Sequence, residues 1–208
     1  MIVSFTGAQS TGKTSLINKC KYLPVVSTEC LGVQWCIVPE VTRLVRRNFN
    51  VDINEAGNDD TQLLILAQHL ANTHTYKDKN VIMDRCIVDG LVYTRYLFNH
   101  DKVTREVKDH AEFMFDKLIS KLDVVFYTSP EDIPIEDDGE RSIDVDFRDE
   151  IIAGFEDVLY YMEQQYGKMP NVTRLKGSIE DRMKTIRDVM INLTGVIDID
   201  HGWEAPKF

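Results

Sequence analysis

Short apolar runs alternate along the chain with longer segments in which apolar residues recur every three or four positions. The runs at 2–6, 35–39, 80–84, 124–128 and 172–175 predict five buried strands. The periodic segments at 13–20, 61–73, 88–99, 104–121, 148–166 and 179–193 predict helices, and in the second of these Leu63, Leu66, Ala67 and Leu70 share the expected core face. Strands alternating with helices predict an α/β fold in which a five-stranded parallel sheet is covered on both faces, a three-layer α/β/α arrangement.

One interval departs from this rhythm. Residues 129–149 hold Pro130, Pro134, Gly139 and many acids with few apolar positions, so a functional loop or lid is expected there. The tail after Gly195 has no periodicity, and the chain carries no internal repeat.

With 208 residues and 43% apolar composition, the chain suits one core and one domain spanning 1–208. A net charge of −10 repels polyanions and makes DNA a poor partner unless basic groups gather on one face. Cys20, Cys30, Cys36 and Cys86 show no C-x-x-C spacing and read as reduced structural thiols. The start at Met1-Ile2-Val3-Ser4-Phe5 lacks a signal-peptide pattern, and no apolar run reaches membrane-spanning length. A cytoplasmic protein without a membrane partner is expected, and a homodimer is compatible with this reading.

The first predicted strand runs into Gly7-Ala8-Gln9-Ser10-Thr11-Gly12-Lys13-Thr14, the pattern G-x-x-x-x-G-K-T, followed at once by Ser15 and a helical segment. A loop without bulky side chains can wrap a polyphosphate with inward N–H groups, backed by the positive end of a helix. In this arrangement Lys13 reaches the β and γ phosphates of ATP, and Thr14 offers its hydroxyl to Mg²⁺, which takes its remaining ligands from nucleotide and water. No N-K-x-D segment suggests a GTPase, and the third strand ends in Asp84-Arg85 rather than in an acid pair.

These features resemble the nucleoside and nucleotide kinase branch of P-loop proteins, with thymidylate and deoxynucleoside kinases, and more closely the AAA-type kinase domains related to nicotinamide riboside kinase. The matching positions are Gly7 to Thr14, Pro39-Glu40 with Arg43, Asp84-Arg85 with Asp89 and Tyr93, Asp138 to Arg141, and Lys176-Gly177-Ser178 with Arg182. The resemblance implies an ATP-dependent kinase acting on a nucleoside, nucleotide or related acceptor. It implies that Glu40 or Asp84 deprotonates the acceptor hydroxyl, and that Asp84 orders the metal's water. Arg85 would face the acceptor or the transferring phosphate, Arg141 and Arg148 would close over the triphosphate, and the Gly177-Ser178 turn would lie against adenine.

Plainer roles compete at several positions. Glu40 suits the first turn of a helix near 42–46, and Ser178 suits a helix cap. Asp84 or Asp89 could simply pair with Arg85, while Asp89 and Tyr93 lie four apart on one helical face. Arg43, Arg46 and Arg47 form a basic face that fits either an acceptor phosphate or solvent. His69, His74, His100, His110 and His201 show no metal-ligand spacing. Two other activities remain open: phosphorylation of a hydroxymethylated pyrimidine in DNA, and nucleotide-dependent regulation without acceptor chemistry.

Overall fold

The computed structural model describes residues 1–26, 34–130, 145–165, 167 and 169–195. Five parallel strands, β1 (Ile2–Thr6), β2 (Trp35–Val38), β3 (Asn80–Asp84), β4 (Val124–Thr128) and β5 (Asn171–Leu175), stand in the order β2-β3-β1-β4-β5. Seven α-helices are present among the described residues: α1 (Lys13–Cys20), α2 (Val41–Phe49), α3 (Asp59–Thr75), α4 (Ile87–Asn99), α5 (Arg105–Leu118), α6 (Val145–Gln164) and α7 (Ile179–Thr194). The architecture is the expected α/β one.

All five β1 residues are buried, and their alternation divides the core. Val3 and Phe5 join Ile82, Val124 and Phe126 beneath α1 and α7, with the Phe5 and Phe126 rings 5.1 Å apart. Ile2 faces the other way with Val81, Met83, Val125 and Tyr127, beneath α4, α5 and α6. Each such apolar side chain contributes about 1.5–3 kcal/mol through burial, and a strand buried on both faces, Ser4 and Thr6 included, lies inside the sheet.

The helix α3 keeps only Leu66 of the four expected core residues inside. Leu63 and Leu70 are 41% and 46% exposed, whereas Gln62, Ile65, Leu66, His69 and Asn72 are buried. The apolar count along this helix favours the exposed stripe, but packing against α2, α4 and α5 selects a face that carries polar side chains. Gln62 accepts a hydrogen bond there from the Thr94 hydroxyl, at 3.0 Å. The helix starts two residues before the predicted 61, at Asp59, capped by Asn58, whose Oδ1 accepts from Thr61 N–H at 3.0 Å.

Other boundaries move slightly. β2 stops before Pro39, which has no N–H for the ladder. The last predicted turn of α5 tightens into a 3₁₀ turn at Ile119–Lys121. α6 begins at Val145, so the last five positions of the expected lid, 145–149, form its first residues. Positions 131–144 of that lid, and the tail beyond Gly195, lie outside the described residues. Cys20, Cys36 and Cys86 are free thiols, and burial pushes Cys20 and Cys86 up to about 12. Among the described residues no helix is long and apolar enough to cross a membrane.

Candidate nucleotide and acceptor site

The segment 7–12 leaves the carboxyl end of the central strand and turns into α1. Gly7 and Gly12 adopt φ +137° and +79°, the latter at the helix N-cap. At Gly7 glycine is required twice over, because a Cβ would stand 2.7 Å from Thr128 Oγ1 and 2.9 Å from Thr128 O. The Thr128 hydroxyl donates to Thr6 O at 3.1 Å and lies 2.6 Å from that of Thr11, so the end of β4 braces the loop.

Lys13 is 6% exposed, and its Nζ donates to Gly7 O at 2.9 Å, Ala8 O at 2.6 Å and Thr11 Oγ1 at 3.2 Å. The ammonium therefore lies over the loop instead of pointing into the hydrophobic core. Burial, then the nearby Arg85 cation, lowers its pKa to about 7, against the opposing carboxylates Asp89, Asp84 and Glu40. An arriving polyphosphate would favour its charged form.

Thr14, in the first turn of α1, and Asp84, at the end of β3, meet, the Thr14 hydroxyl donating to Asp84 Oδ2 at 2.9 Å. The second oxygen, Asp84 Oδ1, is buried without a hydrogen-bond partner among the described residues. Burial, and then Glu40, raises the Asp84 pKa. A hydroxyl beside a carboxylate with an unused oxygen fits a hard divalent cation and its water, and these two residues could hold Mg²⁺ together with phosphate oxygens.

Next to this pair a second cluster forms around Arg85. Its backbone takes φ +73°, uncommon for a non-glycine residue, as the chain turns from β3 to Cys86, the N-cap of α4. The guanidinium donates through Nε to Glu40 Oε1 at 2.8 Å and through Nη1 to Asp89 Oδ1 at 2.9 Å. Asp89 uses its other oxygen to accept from the Thr6 hydroxyl at 2.7 Å and from Cys86 N–H at 3.0 Å. Glu40, the N-cap of α2, accepts from Arg43 Nε at 3.0 Å through Oε2. Burial alone would raise its pKa, but Arg85, Lys13 and Arg43 outweigh burial and hold it at about 2.

Tyr93 completes this wall, its hydroxyl donating to Gln9 Oε1 at 3.3 Å and its ring lying 5.5 Å from the Arg85 guanidinium carbon. Gln9 Nε2 is buried with no hydrogen-bond partner among the described residues. The phosphate loop and the Arg85 cluster thus adjoin across Gln9. A cleft opens beside them, lined by Thr42, Asn54, Gln62, His69 and Tyr93 among others. Burial holds His69 neutral, with a pKa of about 4.

The structure brings Gly7 to Thr14, Glu40, Arg43, Asp84, Arg85, Asp89 and Tyr93 together. Ser15 lies exposed in α1, and the exposed Gly177-Ser178 turn follows β5. Ser178 caps α7 as expected, accepting from Asp181 N–H at 3.2 Å. Arg148 lies in the first turns of α6, whereas Arg141 falls outside the described residues. Thr42, Asn54, Gln62 and His69 escaped sequence reasoning. For Gln62 and His69 the one signal is the run of polar residues at helical spacing on α3, Gln62, His69 and Asn72, which is hard to tell from a solvated face; Thr42 and Asn54 carry none.

The phosphate-binding loop on a central strand, the sheet order and the strand-end acids define a P-loop domain with the fold of nucleoside kinases. The chain belongs to a family of AAA domains, whose sequence profile matches residues 2–182. No curated protein matches it. Among solved structures, an NadR protein in complex with NAD and AMP-PNP matches with a TM-score of 0.68 and 20% identity, covering 97% of this chain and 51% of that one. The same kind of protein in complex with NR gives 0.65 and 20%, covering 94% and 51%. A deoxyadenosine kinase from M. mycoides with dCMP and dCDP bound gives 0.62 and 13%, covering 93% of this chain and 100% of that one. The chain spans about half the length of the NadR chains it matches.

Proposed function

We propose that this protein is a single-domain kinase that transfers the γ-phosphoryl group of ATP to a hydroxyl of a nucleoside-like acceptor. The observation that carries this reading is the Arg85 cluster: Arg85, Asp89 and Tyr93 line a cleft, Tyr93 reaches Gln9 of the loop at 7–14, and Arg85 holds the Glu40 carboxylate.

The loop amides and Lys13 would bind the polyphosphate, and Thr14 with Asp84 would hold Mg²⁺. When bound, the metal supplies charge neutralisation at the β and γ phosphates. Glu40 would orient the acceptor hydroxyl and accept its proton as the bond to phosphorus forms. A carboxylate held at about 2 is a weak resting base, so its main work is alignment until the hydroxyl acidifies in the transition state. Arg85, fixed on both sides, would stabilise charge on the transferring group without having to reorganise. Arg141 and Arg148 would add cations from the lid segment around 129–149, and the Gly177-Ser178 turn would meet the base.

The charge balance favours a nucleoside over a nucleotide as acceptor. Arg85 and Arg43 are already matched by Glu40 and Asp89, so a second phosphate in the cleft would compete with two carboxylates. The neutral lining of Asn54, Gln62 and His69 suits a base edge.

Incubation with γ-labelled ATP and three acceptor sets tests this reading: free nucleosides, their monophosphates, and DNA carrying hydroxymethylated pyrimidine. Label transferred to a nucleoside supports it. Transfer only to DNA moves the acceptor, and acceptor-independent behaviour across all three sets refutes kinase function.

A further inference from the structure

Arg182 projects from the first turns of α7 into the protein and is 2% exposed. Arginine is seldom buried so completely, because its charge is costly to desolvate. Its donors reach three backbone carbonyls: Nε to Gly177 O at 3.0 Å, Nη1 to Thr11 O at 3.3 Å, and Nη2 to Ser129 O at 3.3 Å. Those carbonyls belong to three separate parts of the candidate site. Thr11 is in the phosphate loop, Ser129 follows β4 where the expected lid begins, and Gly177 forms the turn after β5.

A planar guanidinium with fixed donor directions can span three such segments, which a single ammonium cannot. The contact with Thr11 has an electronic consequence as well. The peptide that carries the Thr11 carbonyl ends in the N–H of Gly12, at the N-terminus of α1 and in the wall of the phosphate pocket. A cation hydrogen-bonded to the oxygen of a peptide polarises it and makes its N–H a stronger donor.

We infer that Arg182 is a nucleotide-positioning residue: it holds the phosphate loop, the end of β4 and the turn after β5 in one register, and strengthens the loop's grip on polyphosphate through the Thr11–Gly12 peptide. The inference rests on the nucleotide binding proposed above and does not need Arg182 to touch the nucleotide. Its effect grows with the number of phosphates bound, whereas a residue needed only for packing would weaken every ligand alike.

Calorimetric titration with magnesium AMP-PNP, magnesium ADP and AMP separates these cases, using the unaltered chain, Arg182→Met and Arg182→Lys. Arg182→Met is expected to weaken AMP-PNP and ADP about tenfold or more, the usual scale for a charge-assisted hydrogen bond, and AMP by less than about threefold. Arg182→Lys keeps the charge but not the three-way span, so it should fall between the two. If Arg182→Met fails to fold, the Arg182→Lys series decides alone. Equal loss for all three ligands, or no loss in a folded variant, overturns the inference and leaves the kinase reading standing. Absence of any magnesium nucleotide binding by the unaltered chain overturns both.

Discussion

Arg85 Nε donates to Glu40 Oε1 across 2.8 Å, joining residues 45 positions apart at the ends of two neighbouring strands. The contact sets both where the carboxylate points and how firmly it stays ionised. If Glu40 aligns the acceptor, Glu40→Gln should lower kcat by about 10²- to 10⁴-fold while leaving the affinity for magnesium ATP within about threefold. Steady-state kinetics with parallel nucleotide titration checks this, and an unchanged kcat would remove Glu40 from the chemistry.

The same pair predicts an acid response. Glu40 has a pKa of about 2 in the folded chain against 4.5 ordinarily, so the stability it contributes is complete above 4.5 and is lost as pH falls through 2. The full effect is at most about 3 kcal/mol, from 1.36 kcal/mol per tenfold change in proton affinity. Denaturant melts between pH 5 and 2 should show a steeper loss for the unaltered chain than for Glu40→Gln, and parallel curves would contradict the assignment.

If Lys13 binds the polyphosphate as proposed, Lys13→Ala should lower turnover by about a hundredfold or more, since it deletes that cation. Its partners are two loop carbonyls and a hydroxyl at the pocket wall, not core atoms. Folding free energy should therefore change by only about 1 kcal/mol. Activity and thermal melts measured on one preparation distinguish loss of function from loss of fold.

Asp84→Asn should raise the Mg²⁺ concentration needed for half-maximal activity about tenfold or more, on the scale expected when a residue ordering a metal is replaced. Thr14 would keep a hydrogen-bonding partner at position 84, so nucleotide binding without metal should be little changed. A magnesium titration that superimposes on that of the unaltered chain would reassign Asp84 to a purely structural role.

Gly7→Ala places a methyl group against both the hydroxyl and the carbonyl of Thr128, at a backbone angle that side chains avoid. A stability loss of about 1–3 kcal/mol is expected, together with weakened nucleotide binding, because the loop must shift to relieve the contact. A melting temperature equal to that of the unaltered chain would show that the close approach is not rigid.

The phosphate loop was legible in the sequence because its chemistry is local: eight consecutive residues define the turn, the cation and the start of the helix. The five strands were legible because runs apolar on both sides have few other places to go. On α3 the sequence places Leu66 inside correctly but not Leu63, Ala67 and Leu70, because that stripe is as apolar as the one through Ile65 and only packing against α2, α4 and α5 decides between them. The Arg85–Asp89 pair is readable as neighbours four apart, but its joining to Glu40 and Thr6 spans three strand ends, and no spacing along the chain announces that. Residue types were enough to nominate Glu40 and Asp84, but not to show that one is flanked by two arginines while the other faces a threonine with an oxygen to spare.

The strand order also sets an asymmetry between the two halves of the site. The loop at 7–14 hangs from β1, flanked on both sides by paired strands, whereas Glu40 follows the half-buried edge strand β2. Amide hydrogens of β1 should exchange with solvent far more slowly than those of β2. Changes to that outer margin would therefore reshape the proposed acceptor side while leaving the central strand and its loop in place.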